Sequence, residues 1–249
     1  MFVDSAEKST NIRVQCRRKA AECNIQMANS LIFDFDGTIA ETIPLSLAAI
    51  RAAYADNGLP VPSENSITSN FGANEFGMFL KMAPGSAEAL FESYVKEYCA
   101  LHEKYSPEPF AGIAEILRKT KGAGWKLGLV TGKHPRTAEA SLVRYGMRDI
   151  FDGVRCGGLE GSVKPENISS LMREWKADPK RAWYVGDVAQ DVLDARAAGI
   201  RPLCAAWAQT KLSGLSELES LRPEAIFSSV AELGEWVDKM LKDCASADI

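Results

Sequence analysis

The 249-residue chain reads as an α/β protein, a Rossmann-like parallel-sheet core with a small helical subdomain inserted into it. Three observations lead there. From Leu31 onward, short apolar runs alternate with helix-length amphipathic stretches, the rhythm of parallel strands joined by crossover helices. Between Thr38 and Pro107 that rhythm breaks, leaving helix-like patterns and no convincing strand. Several apolar runs also end in polar or charged residues, at the carboxyl ends where open α/β sheets bind ligands.

The first strand is expected over 31–35, where Leu31, Ile32 and Phe33 lead into Asp34-Phe35-Asp36-Gly37-Thr38. Successive strand side chains point to opposite faces, so Asp34 and Asp36 start on one side, and Gly37 allows a sharp exit from the sheet. Helix-like patterns follow near 43–57 and 86–104, with the Gly-punctuated stretch Phe71-Gly72-Ala73-Asn74 between them. Pro44, Pro107 and Pro109 restrict the chain at the two edges and make hinges there. The alternation then resumes, with helices expected over 111–122, 135–146, 165–176, 189–198 and 230–242. Strands are expected over 125–130, 154–156, 182–185, 202–206 and 225–227. The division is therefore a core of residues 30–43 and 107–249 and a helical cap of residues 44–106. Because the cap directly follows the carboxylate pair, it should lie over the strand ends as a lid. Residues 1–29 stand outside this plan and read as a flexible leader, despite a strand-like pattern at 11–16 and a helix-like one at 17–26.

Composition narrows the partners. A hydrophobic content of 46% suffices for a real core, and the net charge of −4 with one short basic cluster, Arg17-Arg18-Lys19, argues against nucleic acid. No apolar stretch approaches the roughly 18 to 20 residues of a membrane span, so no membrane association is expected. Residues 1–29 lack the apolar middle of a secretory signal, and Asp4 and Glu7 count against a transit peptide. The six cysteines are scattered with no CxxC pair, which favours reduced thiols, a cytoplasmic setting and no structural zinc.

The chemistry-bearing residues cluster at expected strand ends. Two carboxylates as close as Asp34 and Asp36 repel and need a cation or a shared proton. Thr131, backed by Gly132, offers a hydroxyl and exposed backbone N–H groups to an anionic oxygen. Lys164, fixed by Pro165, presents a cation, while Asp187 ends another strand and Asp191 follows on the opening helical turn. Hard carboxylate oxygens beside anion-holding groups suit Mg²⁺ completed by substrate phosphate. The inferred chemistry is phosphoryl transfer with a carboxylate nucleophile.

Plainer roles compete with these. The acid pair could cap a strand end, Thr131 could cap the helix after it, and Asp191 suits a helix dipole whatever its function. His134 is set aside as a loop histidine because Asp36 already supplies an acid/base group, and His102 reads as packing among Tyr98, Leu101 and Tyr105. Thr131-Gly132-Lys133 lacks the upstream glycine spacing and the Lys-Ser/Thr pair of a nucleotide-binding loop. Asn74, Glu75 and Lys81 fit substrate contact and a solvated helix equally well.

The ordered set Asp34-Phe35-Asp36-Gly37-Thr38, Val130-Thr131-Gly132, Lys164-Pro165 and Gly186-Asp187 with Asp191 resembles the haloacid dehalogenase superfamily over about residues 30 to 230. Its phosphoglycolate-phosphatase-like branch, with a helical cap after the first motif, is the nearest likeness. The resemblance implies Asp34 as nucleophile and Asp36 as the acid that protonates the leaving oxygen and then activates water. It implies Thr131 and Lys164 on the phosphoryl group, with Gly37, Thr38 and Gly132 helping to bind phosphate. Asp34, Asp36 through its backbone carbonyl, and Asp187 would ligate Mg²⁺, with Asp191 as an additional contact. An acid at Asp36 implies a phosphatase and not a dehalogenase, and the lack of a matching cap lysine disfavours Schiff-base phosphonate chemistry.

Two segments depart from the pattern: the stretch from Leu159 to Lys164 is less glycine-rich, and Trp207-Ala208-Gln209-Thr210 replaces a Gly-rich turn. The expectation is a Mg²⁺-dependent phosphatase for a small phosphorylated metabolite resembling phosphoglycolate, working through an aspartyl-phosphate as monomer or homodimer. A phosphomutase of the same superfamily and a non-catalytic phosphate-ligand-binding regulator are the alternatives.

Overall fold

A single sheet of six parallel strands runs through the computed structural model, which describes residues 28–210 and 212–246. The strands are β1 (Ser30–Phe33), β2 (Lys126–Val130), β3 (Gly153–Arg155), β4 (Ala182–Gly186), β5 (Arg201–Ala205) and β6 (Ala225–Phe227). Their order is β3-β2-β1-β4-β5-β6. The chain winds from β1 toward one edge, returns to β4 on the other side of β1, and then winds toward the opposite edge. The turns leaving β1 and β4 therefore flank the point where the order reverses, the position at which open α/β sheets bind ligands.

Burial on both faces explains why β1 is an uninterrupted apolar run. Leu31 and Phe33 join Leu127, Leu129, Trp183 and Val185 on one face, while Ile32 joins Val130, Tyr184, Ile168 and Leu171 on the other. Register holds the strand ends level, with Phe33 opposite both Leu129 and Val185. A Cβ on Gly128 would lie 2.9 Å from the Trp175 ring and 3.0 Å from a Leu171 methyl, so glycine lets the covering helix sit close to β2.

Ten α-helices are described: α1 (Ile43–Asp56), α2 (Glu64–Thr68), α3 (Glu75–Met82), α4 (Ala87–Tyr105), α5 (Ile113–Gly122), α6 (Pro135–Arg144), α7 (Lys164–Trp175), α8 (Ala189–Ala197), α9 (Leu215–Ser220) and α10 (Val230–Ser246). Helices α1 to α4 lie between β1 and β2 in the chain and share an apolar cluster that includes Ile50, Tyr54, Phe79, Leu90 and Tyr94. Along α4, Tyr98 and His102 meet Ser141 of α6 at 2.8 and 2.9 Å, and just beyond it the Ser106 hydroxyl meets Tyr145 at 2.7 Å. Among the described residues, no helix is long and apolar enough to cross a membrane.

Several sequence expectations need correction. β1 stops at Phe33 and not at 35, because the Phe35 carbonyl turns back to accept the N–H groups of Thr38, Ile39 and Ala40. Pro44 lies in the first turn of α1, where a missing N–H costs nothing. Helices α2, α3 and α9 were not expected at all. At five, eight and six residues they are too short for periodicity, yet α2 and α3 carry legible caps. Ser63 Oγ accepts from the Ser66 N–H and Asn74 Oδ1 from the Gly77 N–H. The proposed leader falls almost wholly in residues 1–27, outside the described residues.

Candidate active site

The turn that ends β1 sets the geometry. Asp34 still donates its backbone N–H to Val185 O at 2.8 Å, so its side chain is fixed at the sheet's end beside β4. Gly37 then adopts a left-handed φ of +73°, and a Cβ there would stand 2.2 Å from Asp187 Oδ2. Glycine is thus required twice, for the turn and for the approach of Asp187. Gly186 makes room in the same way for Asp191, whose Oδ2 lies 2.3 Å from where a Cβ would be, though the Gly186 backbone is not left-handed.

Asp34, Asp187 and Asp191 bring carboxylate oxygens within 4.8 Å of one another. Lys164, the first residue of α7, reaches in from the far side: its Nζ lies 3.0 Å from Asp34 Oδ2 and 2.6 Å from Asp191 Oδ1. Asp191 is engaged on both oxygens, because Oδ2 accepts the N–H groups of Asp187 and Val188 at 3.1 and 3.2 Å. It braces the turn after β4 as well as contributing charge. Asp34 Oδ1, by contrast, is buried without a hydrogen-bond partner, and so is Thr38 Oγ1.

These environments shift protonation in a consistent way. Burial pushes the Asp34 carboxyl up to about 7, with Lys164 opposing and Asp191 and Asp36 adding to the rise. Asp187 is also pushed well up, first by burial and then by Asp191 and Asp34. Burial alone would lower the Lys164 ammonium, but Asp191 and Asp34 outweigh it and hold it well above its ordinary value. A buried, unpartnered carboxylate oxygen beside a second buried carboxyl is a good fit for a hard divalent cation, which would offset the burial cost of the charged form and the mutual repulsion that adds to it.

Asp36 faces elsewhere. Its Oδ1 accepts from Thr42 Oγ1 and from Lys133 Nζ, the latter at 3.1 Å, so its carboxylate does not join the cluster of acids expected to hold metal. Thr131, just past β2, is fully buried; its N–H donates to Arg155 O at 3.0 Å and its hydroxyl accepts the Lys133 N–H at 3.2 Å. Gly132 follows, and after it the Lys133 carbonyl accepts the Gly157 N–H at 2.9 Å. The divergent segment after β5 still closes on the β1 turn, with Trp207 Nε1 donating to Thr38 O at 3.2 Å and the Gln209 N–H to Glu41 at 2.7 Å.

Sequence reasoning missed Lys133 and left Asn74 and Glu75 undecided between substrate contact and a solvated position. Lys133 is 3% exposed, and the carboxylates of Asp36 and Glu75 surround its ammonium together with Tyr94 and Tyr98. A lysine two residues after a strand-end threonine was the available signal. Asn74 and Glu75 are buried and not solvated, at the start of α3. Asn74 bonds both Gly158 O through its N–H and Gly157 O through Nδ2, at 2.7 and 2.8 Å, and Lys81 Nζ bonds Glu160 O at 3.0 Å. His134 caps α6 through Nδ1, and His102 packs edge-on against Tyr98 and Tyr145.

Comparison with known proteins agrees with this fold. The family model described as haloacid dehalogenase-like hydrolase matches residues 31–205. A phosphoglycolate phosphatase from Caulobacter vibrioides is 26% identical, over 86% of this chain and 93% of its own. The pyrophosphatase PpaX of Bacillus cereus is 25% identical, over 82% and 94% respectively. Among solved structures, CbbY from Rhodobacter sphaeroides in complex with phosphate superimposes with a TM-score of 0.68 at 23% identity, covering 84% of this chain and 97% of that one.

Proposed function

Because the chain belongs to the haloacid dehalogenase-like hydrolase family, we propose that this phosphatase is Mg²⁺-dependent and releases phosphate from a small phosphorylated metabolite through an aspartyl-phosphate on Asp34. The observation that carries the reading is Asp34 itself: a buried carboxylate at the switch point, one oxygen paired with Lys164 and the other without a partner.

Asp34 would attack the phosphorus while Lys164 neutralises its Oδ2 and the incoming phosphoryl oxygens. Thr131, at the neighbouring strand end, would hold a phosphoryl oxygen, and Thr38 offers a second hydroxyl from the turn. Gly37 and Gly132 let backbone approach the group. Asp36, two residues beyond the nucleophile, would protonate the leaving oxygen and then take a proton from the hydrolytic water. Asp34, Asp187 and the Asp36 backbone carbonyl would hold Mg²⁺, with Asp191 behind them. The ion would supply charge neutralisation on the transferring phosphoryl group.

For the substrate, phosphoglycolate or a similarly small organic phosphate is favoured by the named relative and by the helical segment 44–106, read as a mobile cap. Its contacts with the loop at 157–160 bring it down beside the strand ends. The pyrophosphatase relatives make pyrophosphate the first competitor. A phosphomutase would return the phosphoryl group to product, so isomer formation without phosphate release would displace the hydrolytic reading. A cytoplasmic monomer or homodimer is the form expected, measurable by light scattering.

The test is phosphate release across a panel of metabolite phosphates and pyrophosphate, with and without Mg²⁺, beside Asp34→Asn. Release that requires both the metal and Asp34 is the expected result. Equal activity of the Asp34→Asn protein would sink the mechanism.

A further inference from the structure

We propose that Glu75, at the start of α3, is a positioning residue that acts through Lys133 to orient the acid/base carboxylate of Asp36. This rests on the role given to Asp36 above. Glu75 lies outside all four motifs and comes from the helical segment, not from the sheet. It is nevertheless 7% exposed and carries a dense set of partners from the core. Its Oε2 accepts the His134 N–H, and its Oε1 accepts Thr137 Oγ1 at 2.8 Å and Tyr94 OH at 3.1 Å. The same Oε1 stands 3.9 Å from Lys133 Nζ.

Lys133 links this carboxylate to Asp36, whose Oδ1 lies 3.1 Å from the same ammonium. Tyr98 covers the ammonium at 4.6 Å from its ring centroid. A buried lysine facing a single carboxylate would have one electrostatic minimum against it. Facing two, its position is set by both, and removing one lets the ammonium shift toward the other. Glu75 also holds the His134 N–H, next in the chain after Lys133, and the Thr137 hydroxyl in the first turn of α6, so the same residue faces the Lys133 ammonium and fixes the backbone that follows it. A carboxylate that must meet the leaving oxygen loses rate when its geometry drifts by about an ångström. Docking of α3 is thereby joined to the placement of Asp36. Asp34 and Lys164 stand outside this chain of contacts, and Thr131 meets it through its hydroxyl, which accepts the backbone N–H of Lys133 and not its ammonium.

The reading separates from a purely structural role for Glu75. Glu75→Gln keeps the size and an acceptor but removes the charge facing Lys133, whereas Thr137→Val removes a hydrogen bond to Glu75 and leaves the charge. With p-nitrophenyl phosphate as probe, Glu75→Gln should lower kcat by about tenfold or more with KM within about threefold of wild type, while Thr137→Val stays within about threefold on both. Lys133→Met should lower kcat similarly, and the double variant Glu75→Gln with Lys133→Met should lose less than about twofold beyond the worse single one. Thermal unfolding of each variant separates loss of folding from loss of rate.

A Glu75→Gln enzyme with wild-type kcat, equal losses in Glu75→Gln and Thr137→Val, or losses that multiply in the double variant each overturn the proposal while leaving the phosphatase reading intact. Wild-type protein that releases no phosphate, or that releases it equally after Asp34→Asn, overturns both.

Discussion

Gly37 shows how narrowly the site is drawn at the level of single residues. Alanine there would have to adopt a φ of +73° and place its Cβ 2.2 Å from Asp187 Oδ2. The left-handed backbone alone costs about 1–2 kcal/mol, and displacing Asp187 adds a functional loss. Gly37→Ala should therefore lower the unfolding midpoint and weaken Mg²⁺ binding measured by calorimetry; unchanged metal affinity would show that Asp187 has room to adjust. Asp34 yields a pH prediction. Its folded carboxyl is raised from 3.8 to about 7, so between those values the native state holds a proton that the unfolded chain has released. Stability is then lost as pH rises through that window. In metal-free buffer, Asp34→Asn should match wild type near pH 4 and become the more stable protein near pH 7, read from urea unfolding at the two pH values. A gap that does not widen with pH would mean that Lys164 already compensates the charge.

At the scale of elements, α3 and the loop before α7 form one unit. A Cβ on Gly77 would lie 2.1 Å from Leu159 O, a backbone atom, and Leu159 leads through Gly161 to Lys164. In an open helix, Gly→Ala would stabilise by about 0.5–1 kcal/mol. Here overpacking should reverse that sign, costing about 1–3 kcal/mol, and kcat should fall as the loop carrying Lys164 is pushed aside. A stabilised, fully active Gly77→Ala protein would show that α3 is free to lift. This junction is also where the sequence was hardest to read. Helix α3 is eight residues long, so its apolar positions never complete a persuasive period, and the cap at Asn74 was its strongest local signal. The long elements were legible for the opposite reason: β1 is buried on both faces and so reads as continuous apolar sequence, and α4 spans 19 residues.

Over the whole molecule, the arrangement of acids predicts linkage between cation binding and folding. Asp34 comes from the turn after β1, and Asp187 and Asp191 from the turn after β4 and the start of α8, segments about 150 residues apart in the chain. An ion bound among them would favour the native state by mass action, so added Mg²⁺ should raise the unfolding midpoint progressively and a chelator should reverse it. Calcium, larger and less suited to a tight octahedral site, should stabilise without supporting turnover. A midpoint indifferent to both ions would remove the metal from the proposed mechanism.

What the sequence determined by itself was the alternation of strands and helices, the parallel α/β class and the place of Asp34, Thr131 and Asp187 just past the ends of strands. These are local properties: burial periodicity and strand termination are written within a few residues of each position. Only the tertiary structure decided which polar groups face one another. It turned Asp36 away from the acid cluster toward Thr42 and Lys133, engaged Asp191 on both oxygens, and buried Glu75 against a loop 59 residues further on. Such pairings depend on the order in which strands lie side by side and on where the helical segment comes to rest. Both are set by packing across the whole chain and leave no local pattern to read.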